Sequence, residues 1–482
     1  MNIATSTLAA IVVIAGLALG AGPAPFGALP TPQQLQWQRG ELTLFLHFGV
    51  NTFTGREWGD GKEDPKVFNP TKLDARQWAK AAKAGGFTLA ILTAKHHDGF
   101  CLWPSRYTEH SVKSSPWKDG KGDVVREFCD AFRAEGIRIG LYLSPWDRNA
   151  PSYGDSPRYN DLYCNQLTEL LTNYAPVYEV WFDGACGEGP NGRKQVYDFP
   201  RFWGIVRKLA PDAVIFSDAG PDVRWIGNEQ GIAGDPCWST VDPAVWLEPG
   251  KAADGARDPI KRLQHGDRGG TVWRPGESDV SIRPGWFYHP QEDSKVRSVE
   301  NLVDLYFKSV GRNSLLLLNV PPNREGLLSD VDVRRLAEFK ARRDEVFRHD
   351  LCAGRGAMAS NAREGFGSAK VTDGDVDSFW AVEDGITSGW VEVDLGRPVK
   401  FNIACIQEAI ALGQRVEEYH IEYLDGGDWQ TLAKGTTIGH KKLDRFKTVT
   451  AQRVRLVIDK ALACPTVAAF SLYFDELTDQ RK

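Results

Sequence analysis

The chain has 482 residues, with 58 Lys and Arg against 63 Asp and Glu and a formal net charge of −5. So weak an acidity excludes a chain whose main task is to grip nucleic acid or an anionic membrane surface. With 42% hydrophobic and 25% charged residues it has the composition of a globular protein, long enough for two or three domains, and wholesale disorder is excluded.

In chain order, the apolar run Leu8 to Leu19 has the length of a signal-peptide core and is short for a bilayer span. It predicts a secretion signal over residues 1–22, with Ala18, Gly20 and Gly22 as cleavage points. The mature chain is then expected to be secreted, into an apoplast, a periplasm or the medium, with no membrane partner. No Lys or Arg precedes the run, so an uncleaved anchor is the alternative.

After a Pro-rich leader (FGALPTPQQ), short apolar runs alternate with stretches of 3.6-residue periodicity. Leu42 to Phe48 reads as a strand, Leu73 to Gly86 as a helix and Phe87 to His97 as the next strand. DVVREFCDAFRAEGI, RIGLYLSP, YNDLYCNQLTELLTNY, VYEVWFDG, FPRFWGIVRKLAP and AVIFSDAG continue the alternation. Apolar runs without a period of two indicate strands covered on both faces, hence a parallel sheet, and this many βα units predict a TIM-like (β/α) barrel over residues 33–347. Ile226 to Ser298 reads as loop, rich in Gly, Asp, Pro and Trp, before SVENLVDLYFKSVGRN, SLLLLNV and SDVDVRRLAEFKARRDEVF close the domain. Ser329 and Asp332 have capping-box spacing at the last helix. From about Asp350 the pattern is strands only, GWVEVDLG through RVRLVID, which predicts a β-sandwich over residues 350–477. The eight Cys show no CxxC spacing, against a zinc ribbon or a thioredoxin-type site; Cys129 and Cys164 fall in helical patterns that favour buried free thiols.

In a βα barrel the reactive groups gather at the carboxyl ends of the strands. Those ends carry His47; His96, His97 and Asp98; Tyr142, Trp146 and Asp147; Trp181 and Asp183; and Asp218. Asp183, after an apolar strand and two residues beyond Trp181, is placed to attack a carbon, unless it merely caps the next helix. Glycosidic cleavage needs a second carboxylic acid to protonate the leaving oxygen, and Glu229 in DVRWIGNEQG supplies one. A retaining pair sits about 5–5.5 Å apart, an inverting pair roughly 6.5–9.5 Å. The histidines suit sugar hydroxyls better than a metal, since LHFG holds one His where a metal-dependent barrel commonly has His-x-His. Trp58, Trp103, Trp117, Trp146, Trp225, Trp238 and Trp286 lie in loops, a concentration that favours a sugar-binding cleft.

Seven segments, LFLHFGVNTFTGREWGDG, ILTAKHHDGFCLWPS, GLYLSPWDR, VWFDGA, FSDAGPDVRWIGNE, RPGWFYH and LLLLNVPPNREGLL, closely resemble, in order, the α-L-fucosidase family of retaining glycoside hydrolases. The resemblance is to the plant and bacterial subgroup that releases α-1,3- and α-1,4-linked fucose. TDGDVDSFW, GWVEVDLG, GQRVEEYHIEY and RVRLVI resemble a discoidin-like (coagulation-factor type C) sandwich. By position, the resemblance implies Asp183 as nucleophile and Glu229 as general acid/base, with Glu57 and Glu277 in reserve. It implies that His47, Glu57, Trp58, His96, His97, Tyr142, Trp181 and Trp286 hold the sugar of a fucosylated glycan. No cofactor is implied; a structural Ca²⁺ in the sandwich is an open expectation. A metal-dependent barrel hydrolase using His47, His96, His97 and Asp183, and an inactive glycan-binding protein, are the alternative functions.

Overall fold

A computed structural model of the chain describes residues 22–245 and 257–480. The run expected to be a secretion signal lies outside them. Eight parallel strands close a barrel: β1 (Leu42–Leu46), β2 (Leu89–Lys95), β3 (Arg138–Leu143), β4 (Glu179–Trp181), β5 (Val214–Ser217), β6 (Val223–Trp225), β7 (Gly276–Ser281) and β8 (Ser314–Asn319), neighbours in that order with β8 returning to β1. Successive side chains point to opposite faces of a strand. Leu42, Leu44 and Leu46 of β1 and Leu316 and Leu318 of β8 therefore pack outward under the helices. Phe45, Leu315 and Leu317 turn inward, where they meet Trp37, Tyr142, Trp181 and Phe216.

Helices α1 (Ala75–Gly85), α2 (Val124–Ala134), α3 (Ser156–Asn173), α4 (Phe199–Leu209), α5 (Val299–Lys308) and α6 (Asp330–Val346) cover the outer face. Asp74 and Asp123 cap α1 and α2, their side chains accepting from the backbone N–H of Arg76 and Arg126. The apolar stripe Val124, Val125, Phe128, Cys129 and Phe132 of α2 is buried.

Two barrel strands lie where the sequence pattern has none. β6 is three residues long and follows β5 through the five residues 218–222, with no helix between. β7 falls inside the segment read as loop, and all six of its residues are buried. Its sequence, GESDVS, puts Glu277 and Asp279 toward the barrel interior and leaves Val280 for the outer core, so no apolar run announces it. The capping box at α6 is also absent: Ser329 occupies the N-cap position without a side-chain bond, and the fully buried Asp332 instead pairs with Arg283 Nε at 2.9 Å. A buried guanidinium needs a carboxylate more than a helix start needs a second cap.

Seven antiparallel strands form the carboxyl-terminal β-sandwich: β9 (Gly356–Ala359), β10 (Trp380–Ala381), β11 (Gly389–Glu408), β12 (Val416–Asp425), β13 (Asp428–Gly435), β14 (Lys442–Ala461) and β15 (Thr466–Tyr473). The two segments read as separate strands, GWVEVDLG and VKFNIACIQEA, are one strand, β11, whose pairing with β14 is broken by register shifts that let it turn. The sandwich grips the barrel at the excursion between β6 and β7. Lys442 Nζ pairs with Asp235 at 2.7 Å, Thr437 Oγ1 accepts from Cys237 N at 2.9 Å, and Gln414 Oε1 accepts from Ser239 N at 2.8 Å. All eight cysteines are free thiols, seven of them buried.

Asp332→Ala is expected to lower stability by on the order of 3 kcal/mol, because it takes from the buried Arg283 its buried partner and leaves it only the part-exposed Asp293, whereas Ser329→Ala should change it by less than about 0.5 kcal/mol. Urea unfolding of the two variants checks the contrast.

Candidate active site

The carboxyl ends of the strands open on a cavity of about 220 Å³. His47, Trp58, His96, His97, Tyr142, Trp181, Asp183, Glu229 and Trp286 all line it, with Phe45, Phe216, Asp218, Trp225 and Asp279. Its apolar wall is an aromatic pile: Trp181 stacks on Phe216 with ring centroids 3.9 Å apart and on Tyr142 at 5.3 Å, and Phe45 packs against Trp181 at 5.3 Å.

Asp183 stands two residues past the end of β4 and is oriented by two donors, Tyr142 Oη to Oδ2 at 3.0 Å and its neighbour Ala185 N to Oδ1 at 2.7 Å. Gly184 follows it because a Cβ there would lie 2.0 Å from an oxygen of Asp218. The Asp218 carboxyl, from the end of β5, occupies the space a side chain at position 184 would need.

The imidazoles are neutral, and the hydrogen-bond network assigns the tautomers of His47 and His97. Burial pulls His47 down to about 3, and its Nδ1–H donates to Asn319 Oδ1 at 2.8 Å, so Nε2 presents a lone pair to the cavity. Burial likewise holds His97 below its usual value; Ser144 spends its hydroxyl proton on Trp146 O and accepts from His97 Nδ1 at 2.7 Å, leaving Nε2 as an acceptor 3.8 Å from Asp183 Oδ2. His96 is driven well below its usual value by burial, and its Nδ1 lies 3.5 Å from Asn51 Nδ2, whose two hydrogens have shorter acceptors in Asp98 Oδ2 at 3.1 Å and Glu57 O at 3.3 Å. The three rings are uncharged, so they place no cation beside Asp183. Among the described residues no group of three or more His, Cys, Asp or Glu is arranged to hold a metal.

Glu229 is brought to the cavity by the excursion after β6, and Trp286 Nε1–H donates to its Oε2 at 3.2 Å. Burial raises its pKa, with the charges of Asp183 and Glu57 adding to the rise and the indole bond opposing it. Asp183 and Glu229 thus share one cavity in unlike surroundings.

Several sequence-selected residues lie elsewhere. Glu57 is turned away from the cavity; its carboxylate accepts from Trp286 N at 2.7 Å and His289 Nε2 at 2.7 Å. Glu277 is fully buried beneath the cavity, bonded to Trp181 Nε1 at 3.3 Å, and burial with the adjacent Glu179 pushes it well above the usual carboxylate range. Asp147 neutralises the buried Lys95 at 2.9 Å, and Asp98, pushed by burial up to about 7, accepts from Asn51 and Phe100 N. Trp103, Trp117 and Trp238 are core residues despite their loop positions, whereas Trp58 is 57% exposed at the rim.

Asp279, Phe45, Phe216 and Asn319 were missed. Phe45 and Phe216 stand in strands buried on both faces, so no alternation in the sequence sets their inward positions apart. Asp279 and Glu277, two residues apart in GESDVS, would have marked an inward polar face had that segment been read as a strand.

A family model described as α-L-fucosidase matches residues 34–341, and one described as F5/8 type C domain matches residues 356–470. The chain is similar to α-L-fucosidase 1 of Arabidopsis thaliana, 46% identical over 95% of this chain and 89% of that protein. It is more distantly similar to human plasma α-L-fucosidase, 25% identical over 63% of this chain and 60% of that protein. Among solved structures, a Ruminococcus gnavus fucosidase of glycoside hydrolase family 29, in complex with fucose, superposes with a TM-score of 0.86 at 34% identity, covering 95% of this chain and 97% of that one.

Trp286→Phe removes the donor that favours ionised Glu229 and keeps the ring, so the Glu229 carboxyl is expected to titrate at higher pH than in the parent. Carbon NMR of ¹³C-labelled glutamate reads the shift, and a downward movement contradicts the assigned bond.

Proposed function

As a member of the α-L-fucosidase family, the chain is a glycoside hydrolase, and we propose that it releases terminal α-1,3- and α-1,4-linked L-fucose from Lewis-type oligosaccharides and N-glycans by double displacement, with Asp183 as nucleophile and Glu229 as general acid/base. The observation that carries the reading is the unlike setting of two carboxyls on one cavity. Asp183 is aimed by Tyr142 and Ala185, while burial and neighbouring charge favour the protonated form of Glu229.

In the first step an Asp183 oxygen attacks the anomeric carbon as the glycosidic bond breaks, and Glu229 gives its proton to the departing oxygen. That proton transfer is worth typically 10²–10⁴-fold, roughly 3–5 kcal/mol of barrier. In the second step Glu229, now a base, takes a proton from water as the water oxygen displaces Asp183, and fucose leaves with its anomeric configuration retained. His47 and His97 accept from sugar hydroxyls and His96 hydrogen-bonds to one, all three without a cation competing for the nucleophile. The C5 methyl lies against the Trp181, Phe216 and Phe45 wall, and exposed Trp58 offers its face to the next sugar.

The linkage reading rests on the GNE position of Glu229, which resembles the α-1,3/1,4 subgroup. The apolar run Leu8 to Leu19 supports secretion. No metal takes part in the scheme, so a chelator should leave turnover unchanged.

Asp183→Ala is expected to lose turnover by roughly 10⁴-fold or more with the fold intact, and added azide should restore cleavage of an activated aryl fucoside to give the inverted fucosyl azide. Unimpaired turnover of that variant, or inverted fucose as the first product of the parent enzyme, rejects the mechanism. Strong preference for a branched Lewis-type trisaccharide over an aryl fucoside supports the linkage, and the reverse preference rejects it.

A further inference from the structure

Glu57 carries the REW segment's only carboxylate, yet both of its oxygens face a loop rather than the cavity. Oε2 accepts from Trp286 N at 2.7 Å; Oε1 accepts from His289 Nε2 at 2.7 Å and from Phe287 N at 3.4 Å. Gly285 admits this seat, since a Cβ there would come within 2.5 Å of Glu57 Oε1. The loop is held from its other side by Asn319, whose Nδ2 donates to Trp286 O at 2.8 Å. Anchored at both backbone groups, Trp286 has its indole N–H on Glu229 Oε2 at 3.2 Å and its ring 5.1 Å from that of His47.

We propose that Glu57 is a positioning residue for the acid/base carboxyl: it fixes the Trp286 backbone so that the indole holds Glu229 over the glycosidic oxygen, and it does not bind the sugar. This rests on the double-displacement reading above. The charged groups that face Glu229 are Asp183 from the end of β4, Asp279 from β7 and Glu57 from behind Trp286. His289 and Glu292 flank Glu57 on the loop, Glu292 accepting from Gly285 N at 3.4 Å. A positioning role predicts dependence on the leaving group. A residue that grips the fucose ring affects every substrate alike, and so does general damage to the fold. A residue that aims the proton donor matters only when the leaving oxygen needs the proton.

The test compares kcat/KM on dinitrophenyl α-L-fucoside, whose phenolate leaves unassisted, with kcat/KM on a fucosyl disaccharide, whose alkoxide needs the proton. For Glu57→Ala the disaccharide value is expected to fall roughly 10–100-fold, a part of what general acid catalysis supplies, and the aryl value by about threefold or less. Equal losses on both substrates, or no loss on either, overturn the proposal. Glu57→Gln keeps an acceptor for Trp286 N and can donate to the other tautomer of His289. It is expected to recover most of the disaccharide rate, with the alkaline limb moved to lower pH because a charge that disfavours ionised Glu229 is gone. A Gln variant as impaired as the Ala variant, or an unmoved limb, overturns it. Glu229→Ala run alongside separates the two readings. If that variant lacks the substrate contrast, the acid/base assignment falls and this proposal with it. If Glu229→Ala shows the contrast and Glu57→Ala does not, this proposal falls alone.

Discussion

A carboxylate taken into a barrel interior must find donors or bind a proton, and here the common solution is an indole N–H. Trp37 donates to Glu179 at 2.9 Å, Trp181 to Glu277 at 3.3 Å and Trp225 to Asp279 at 2.8 Å, and at the open mouth Trp286 repeats the pairing with Glu229 at 3.2 Å. One neutral donor orients a carboxyl without supplying the charge that would hold it ionised. Burial therefore prevails at the three interior groups, raising Glu179 to about 7 and Glu277 and Asp279 well above the usual range, and at the mouth partial burial raises Glu229 too. The rest of the cavity is compatible with that arrangement because its imidazoles are neutral as well.

The same pairs explain why Trp is used so heavily in this chain. Each indole fills barrel volume with an apolar ring and carries one polar atom to a carboxyl that would otherwise be unsatisfied. Trp181 does both at the floor of the cavity, stacked on Phe216 and bonded to Glu277. Trp286 does both at its rim, and its backbone is in turn fixed by Glu57 and Asn319. Precision at the mouth thus comes from loops tied at several points, since neither Glu229 nor Trp286 stands on a strand. The sandwich contributes to that tying. Its Lys442, Thr437 and Gln414 hold residues 235–239, just beyond the turn that carries Glu229, so the second domain is continuous with the support of the first.

Legibility followed the chemistry of each segment. The outer faces of β1, β2 and β8 carry Leu and Ala, because helices cover them, and with the inward Phe45, Leu89, Ile91, Leu315 and Leu317 they make the apolar runs that announce buried parallel strands. The strand-end residues His47, His96, Tyr142, Trp181 and Asp183 were readable for the same reason: an apolar run that stops on a polar group points to the barrel mouth. β7 was not readable, since its inward face holds Glu277 and Asp279 and its pattern looks like a polar loop. Trp103, Trp117 and Trp238 misled in the opposite direction, as loops that fold back into the core carry the same residues as loops that face a ligand. Ser329 and Asp332 had the spacing of a cap, but Arg283, distant in the chain, offered Asp332 the stronger partner.

The order of amino acids by itself determined the barrel class, the sandwich that follows it and the family, because periodicity and short motifs are local properties that a chain carries before it folds. Tertiary structure alone decided which carboxyls line the cavity and which support it. Glu57 and Glu229 are both glutamates in loops; one turns its oxygens to backbone N–H groups 229 and 230 residues away and the other to a cavity wall. Such a choice depends on contacts between remote segments, and so on burial and donor supply that exist only once the barrel has closed.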